Sequence, residues 1–318
     1  MKSIQQILFL LVAGLLAAST ATAAVNINTV LVGDAGNTAN TAIGAGAIGG
    51  VGYEYRIGTY EVTNSEYTAF LNATAKTDPH GLYHTEMGTS SYGGIDRTGT
   101  AGNYTYSVKN GAGNKPVNYV SFFDAARFTN WLTTGNTETG VYALNGGNPT
   151  DVTRNITAWN GGGVAIASQD EWHKAAYYKG GGINAGYWAY ANQSDSITTN
   201  DANYRANGIY SSRDVGSYNS TSAYGTYDQN GNLAEIQDTL VTDHRRMHGG
   251  SAITEADDVT MTSAEVSRSV TQSQENSLLG FRVSSLNPII PEPSTYAAIL
   301  GCLGLLLALM RRKGRGTL

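Results

Sequence analysis

Large and small or polar side chains alternate from Tyr53 to Tyr60 (Tyr-Glu-Tyr-Arg-Ile-Gly-Thr-Tyr), the two-residue period of a half-buried strand. A shorter strand is predicted over Asn26 to Val32, followed by a turn-rich segment, Gly33 to Gly52, that is poor in core-forming residues. Three helix starts carry the Ser/Thr-x-x-acid pattern, in which the first side chain caps an amide three residues on: Thr63 to Glu66, Ser121 to Asp124 and Ser168 to Glu171. Behind each start, apolar residues recur at helical spacing: Tyr67, Phe70 and Leu71; Phe128, Trp131 and Leu132; Trp172, Ala175 and Ala176. These predict core-facing stripes. The long stretches Asp78 to Asn114 and Asn136 to Gly163 show only brief strand-like runs such as Tyr104 to Val108, and their interspersed Tyr, Ile and Trp predict ordered loops packed on a scaffold. No Pro-rich linker divides Tyr53 from Ser285 and no period of 20 to 50 residues recurs, so one domain is expected over 53–285, with 24–52 as its lead-in.

The two ends follow different rules. Lys2, the apolar run Ile7 to Ala18 and the small residues Ala21-Thr22-Ala23 have the three-part order of a secretory signal peptide, predicted to occupy 1–23. At the other end, 286–318, a linker leads to Pro291-Glu292-Pro293, an uncharged stretch from Ser294 to Met310, and a cluster of Arg311, Arg312, Lys313 and Arg315. Those 17 residues are at the short limit for spanning a bilayer, and the basic cluster would stay on its cytoplasmic side. This tripartite tail resembles the PEP-CTERM sorting signal of Gram-negative bacteria that make extracellular polysaccharide, which implies removal by an exosortase. The chain is thus expected to be exported, held in the inner membrane by its tail before processing, and afterwards periplasmic, cell-surface or extracellular.

Removing both ends changes the charge. They hold five of the 20 Lys and Arg and one of the 25 Asp and Glu, which leaves 15 minus 24, or −9. An acidic exported domain is a poor partner for nucleic acid or anionic lipid. The single cysteine, Cys302, lies in the tail, so the domain has no disulfide and must be stabilised by its core. Only 14 % of residues are charged while Gly (39) and Tyr (20) are abundant, which suits a turn-rich fold with a polar, uncharged surface.

Read in order, Tyr55 to Asn64 (YRIGTYEVTN), Lys115 to Ala126 (KPVNYVSFFDAA), Ser168 to Ala176 (SQDEWHKAA), Val215-Gly216-Ser217, Tyr227 to Glu235 (YDQNGNLAE), Gly249-Gly250-Ser251 and Gly280 to Val283 (GFRV) resemble the formylglycine-generating enzyme (sulfatase-modifying factor) family. The resemblance implies an α+β fold related to C-type lectin domains, with little regular secondary structure and long ordered loops. Family enzymes oxidise a sulfatase cysteine using copper held by two cysteines shortly after Gly-Gly-Ser. Counting from Gly250, those positions fall on Thr254 and Val259. Soft thiolates select Cu(I), and neither side chain can replace one, so no catalytic residue is assigned and copper is not expected. The resemblance also implies a structural calcium held by side-chain oxygens of Asp228 and Glu235 and carbonyls of Gly231 and Leu233, although the same residues suit a solvated acidic turn.

Two histidine pairs at i,i+4, His80 with His84 and His244 with His248, could face one side of a helix as metal ligands, yet neither lies in a convincing helical pattern. No Gly-x-Ser-x-Gly elbow or His-Glu-x-x-His signature is present, and the glycine runs 161–163 and 180–182 lack a phosphate loop's lysine. The expected function is that of a non-catalytic binding module for extracellular polysaccharide or a surface protein. The alternative is a divergent metal-dependent enzyme using His and carboxylate ligands.

Overall fold

The computed structural model describes residues 25–42, 46–260 and 268–289, and the predicted signal peptide and tail lie outside them. Among the described residues no helix is long and apolar enough to cross a membrane. Residues Asn26–Ile289 form one compact unit.

Among the described residues are ten short strands, eight of them in two four-stranded sheets, and five α-helices. The first sheet has the order β1 (Thr29–Val32), β2 (Tyr55–Gly58), β10 (Val283–Ser285), β5 (Val164–Ile166), with each pair antiparallel. The second has the order β8 (Ser269–Thr271), β7 (His244–His248), β6 (Ala234–Val241), β9 (Leu279–Phe281), where β6 and β9 run parallel. A hairpin, β3 (Ile95–Thr98) with β4 (Thr105–Val108), stands apart. The segment predicted as a lead-in is integral to the unit, because β1 pairs along its whole length with β2. Strand β2 follows the predicted alternation over its first three residues, burying Tyr55 and Ile57 while Arg56 between them is half-buried.

All three predicted capping boxes form. They open α1 (Asn64–Thr74), α3 (Phe122–Thr134) and α5 (Gln169–Tyr177), and in each the cap hydroxyl accepts the N3 amide while the N3 acid accepts the cap amide. Helix α2 (Glu86–Thr89) and α4 (Ile156–Asn160) are single turns within the long loops. The predicted stripes are core: Phe70 meets Phe128 edge-on at 5.4 Å and Phe128 meets Phe281 at 5.5 Å, which joins α1 and α3 to the second sheet. Trp131 and Leu132, at the end of α3, are half-buried. Trp172 and Ala175 on α5 pack against Val32, Tyr55 and Ile57 of the first sheet. Each such side chain, taken fully from water, contributes about 1.5–3 kcal/mol.

One cap acid does more than cap. Glu171 is fully buried, and its carboxylate accepts from Arg154 Nη1 at 2.7 Å, from Arg154 Nη2 at 3.0 Å and from Ser284 Oγ at 2.8 Å. Burial opposes its charge, but Arg154 and these donors outweigh that and hold its pKa below the ordinary value. A helix start, a long loop and β10 are thereby joined at one carboxylate.

Candidate functional site

Between β9 and β10 a single residue, Arg282, carries the chain from the second sheet to the first. Its guanidinium is buried and fully committed: Nε and Nη2 reach the two oxygens of Glu235 at 2.6 and 2.7 Å, while Nη1 and Nη2 donate to the carbonyls of Gly58 and Tyr227 at 3.0 and 2.9 Å. Trp172 Nε1 donates to Glu235 at 2.8 Å. Glu61 and Asp228 complete the cluster. The Glu61 oxygens accept from the Leu233 amide at 3.1 Å and from Asn232 Nδ2 at 2.8 Å, and Asp228 Oδ2 accepts from the Gly216 amide at 2.6 Å. Burial, then the neighbouring charges of Asp228 and Glu235, pushes the Glu61 carboxyl well above its ordinary range. Burial raises Asp228 to about 6.

Of the four residues expected to bind calcium, Asp228 and Glu235 do share this cluster. Their oxygens, however, do not form an open cage. Both oxygens of Glu235 face a guanidinium, which an incoming divalent ion would have to displace against like-charge repulsion. The neighbouring Leu233 contributes an amide donor. The donor set does not fit calcium as it stands, and among the described residues no group of three or more His, Cys, Asp or Glu is placed to hold a metal ion. The histidine pairs do not converge either. His80 bonds Glu138 at 3.3 Å while His84 stacks on Tyr119. His244 and His248 lie on strand β7, where four residues span about 13 Å.

Thr254 and Val259, where the count from Gly250 placed the family's cysteines, lie close together. A Cβ built on Gly250 would lie 2.7 Å from Val259 Cγ1 and 2.9 Å from Thr254 Cγ2, so the two side chains meet over one spot. Thr254 Oγ1 accepts from the Ser251 amide at 2.8 Å, closing a turn. Val259 is buried against Tyr190, Ala202 and Tyr204. This spot is filled with methyl groups and offers no soft ligand.

A cavity of about 410 Å³ is lined by Thr199, Ala206, Asn207, Ile209, Arg213, Ser217 and Tyr218, and the chain next to Ala206 is tied to Thr254, whose carbonyl accepts from the Arg205 amide at 2.9 Å. The cavity's loop is tied to the carboxylate cluster. Asn232, whose amide group is bonded to Glu61, accepts from the Arg213 amide at 2.8 Å, and Asp228 holds the Gly216 amide. The Val215 amide donates to the Asn114 carbonyl at 2.8 Å, and Asn203 Nδ2 to the Ser211 carbonyl at 3.0 Å. Gly216 has φ +68°, and a Cβ there would strike the Tyr60 ring at 2.6 Å, so only glycine fits the bend. Four separate anchors thus hold the loop in a fixed shape. Arg282 and Gly216 fall within the family-like motifs, which assign them no role, and no local pattern marks Asn207, Arg213 and Tyr218.

A second carboxylate pair lies elsewhere. Asp124, the cap acid of α3, hydrogen-bonds Glu275, and burial, then the Asp124 charge, pushes Glu275 up to about 8. The folded state therefore holds a proton that the unfolded chain, at its ordinary 4.5, releases. Stability from this group is complete below pH 4.5 and is lost as pH rises towards 8. The substitution Glu275→Gln, which keeps a donor for Asp124, is expected to raise stability at pH 8 by on the order of 1 kcal/mol after solvent screening, and to leave it unchanged at pH 4.5. Urea midpoints of both proteins at the two pH values measure this; equal midpoints at pH 8 would rule out the shared proton.

Comparison with known proteins agrees with this architecture. The profile of the sulfatase-modifying factor enzyme 1-like domain matches residues 29–285. Among solved structures, Treponema denticola variable protein 1 is similar with TM-score 0.59 at 19 % identity, covering 85 % of this chain and 99 % of that one. The crystal structure of CarF is similar with TM-score 0.60 at 22 % identity, covering 82 % and 98 %. PvdO from Pseudomonas aeruginosa is similar with TM-score 0.51 at 15 % identity, covering 85 % and 100 %. At these identities the likeness is one of fold. No curated protein sequence matches.

Proposed function

The chain belongs to the sulfatase-modifying factor enzyme 1-like family, and from that premise we propose that it is an exported, non-catalytic member that binds a glycan through the cavity lined by Asn207, Arg213 and Tyr218. One observation carries the reading: an open, polar cavity is built on a loop with four anchors, whereas Thr254 and Val259, expected at the family's thiol positions, pack only methyl groups against Gly250. Loops fixed on a rigid scaffold commonly hold binding sites, and fixing them beforehand lowers the entropic cost of association. The cavity's chemistry suits a sugar. Tyr218 offers a ring face, and its hydroxyl accepts from Asn207 Nδ2 at 2.8 Å, which leaves its own proton to donate. Ser217 and Thr199 add hydroxyls for the ring hydroxyls of a sugar.

Export and processing belong to the same proposal. The amino-terminal signal and the PEP-CTERM-like tail would deliver the domain outside the cell, where polysaccharide is the abundant ligand class. Protein purified from producing cells, whose intact mass would reveal loss of 1–23 and of the tail, is expected to bind oligosaccharides in calorimetric titration. Substituting Tyr218→Ala is expected to weaken that binding tenfold or more, with an unchanged melting temperature. Absence of binding to any saccharide, together with turnover of a substrate by the same preparation, would overturn the binding reading.

A further inference from the structure

We propose that this cavity selects sugars bearing an oxyanion, and that Arg213 is the residue that selects them; the inference rests on the binding reading above. Arg213 is the only cationic residue among those that line the cavity, and among the described residues its guanidinium has no hydrogen-bond, ion-pair or ring partner. Its backbone, by contrast, is pinned. The amide donates to Asn232 Oδ1 at 2.8 Å and the carbonyl accepts from Asn232 Nδ2 at 3.5 Å. Most other described arginines hold their charge in an internal contact. Arg282 is spent on Glu235, Arg154 on Glu171 and Asp238, Arg127 on Glu138, and Arg97 on Asp78. A fixed arginine with an idle guanidinium, opening on a cavity, presents five donors in a planar fork that matches a carboxylate or sulfate.

The rest of the lining can donate to the same oxyanion: Tyr218, Ser217 and Thr199 each carry a hydroxyl hydrogen, and the acceptor left over, Asn207 Oδ1, is buried away from the opening. With the Tyr218 oxygen occupied by Asn207 Nδ2, the tyrosine hydrogen is left for the ligand, and the hydroxyls of Ser217 and Thr199 have no partner among the described residues. Asn207 also spends its amide group inward, donating to the Ala202 carbonyl at 2.9 Å. The nearby carboxylates are engaged or outside the lining. Asp228 holds the Gly216 amide, and Asp201 accepts from the amide and hydroxyl of Thr198 at 2.8 and 2.7 Å. Asp214, next to Arg213, does not line the cavity. A neutral sugar would leave the guanidinium unmatched, whereas a ligand oxyanion would pair with it and also accept from the tyrosine.

The test uses the full mature protein and three families of oligosaccharide of equal length: neutral hexose, uronic acid and sulfated hexose. Uronate or sulfated chains are expected to bind at least tenfold more tightly than neutral ones, with affinity falling as salt is raised. Substituting Arg213→Gln is expected to abolish that preference while leaving weak neutral-sugar binding and the melting temperature unchanged, since the side chain is exposed and holds nothing. Preference for one anionic family alone assigns the oxyanion to that source. Equal affinity for neutral and anionic chains overturns the role of Arg213 but leaves glycan binding standing. No affinity for any of the three overturns both.

Discussion

Replacing Arg282 with alanine is expected to cost about 3–5 kcal/mol, because it removes one partner of a fully buried ion pair and strands the other. Glu235 would keep its bond from Trp172 but lose two charge-assisted donors, in a setting that already holds Glu61 and Asp228. The carbonyls of Gly58 and Tyr227 would lose donors as well. A domain of this size shifts its melting temperature by roughly 2–4 °C per kcal/mol, so a fall of about 10 °C is expected. The double change Glu235→Leu with Arg282→Met is expected to be less harmful than the sum of its parts, since no charge is then left buried alone. Thermal melts of the four proteins measure the coupling. A loss below about 1 kcal/mol for Arg282→Ala would show that Glu235 has another cation and would reopen the question of a bound metal.

Nearly as large an effect is expected from Gly231→Ala. Gly231 has φ +85°, and a Cβ there would lie 2.1 Å from the Asn203 carbonyl oxygen and 2.7 Å from its carbon. These are backbone atoms, so no side chain can swing aside. Left-handed strain of about 1–2 kcal/mol adds to a packing cost of about 1–3 kcal/mol, giving roughly 2–5 kcal/mol in all. Gly208 provides the control. It has φ +67° with nothing within 4 Å of the added Cβ, so Gly208→Ala should show the strain without the clash. Denaturant midpoints of both variants separate the two terms, and equal losses would mean that the Asn203 backbone yields freely. A functional consequence is expected too. The bridge between Asn203 and Gly231 holds the Asn232 amide on the Asn203 carbonyl at 2.8 Å, and Asn232 in turn positions Arg213. Gly231→Ala should therefore weaken ligand binding although it touches no ligand.

The carboxylate cluster and the cavity act as one unit. Asp228 and Asn232 belong to the short Asp-Gln-Asn-Gly-Asn run, which is held between Arg282 on one side and the Arg213 loop on the other. Two of the four residues expected to hold calcium, Asp228 and Gly231, fall in this run, and Arg282 meets the carboxylate of a third, Glu235, just beyond it. Stabilising the run by an internal cation suits a domain without disulfides.

How much was legible beforehand depended on the range of the interaction concerned. The capping boxes at Thr63, Ser121 and Ser168 and the stripes behind them were readable in the sequence, because a helix start depends on side chains three residues apart. That residues 254 and 259 carry no sulfur was readable too, because it is a matter of residue identity alone. Strands β6 and β7 were not read, since β6 is buried over its first five residues with no alternation and β7 is rich in His and Arg. They pair with each other and are then flanked by β9 and β8 to give the four-stranded sheet. The partner of Glu235 is 47 residues away, and the anchors of the Arg213 loop come from positions 114, 203, 228 and 232. Local chemistry therefore determined the helices and the missing sulfur. The charge pairing and the cavity were decided by contacts between distant segments, which no short window of sequence contains.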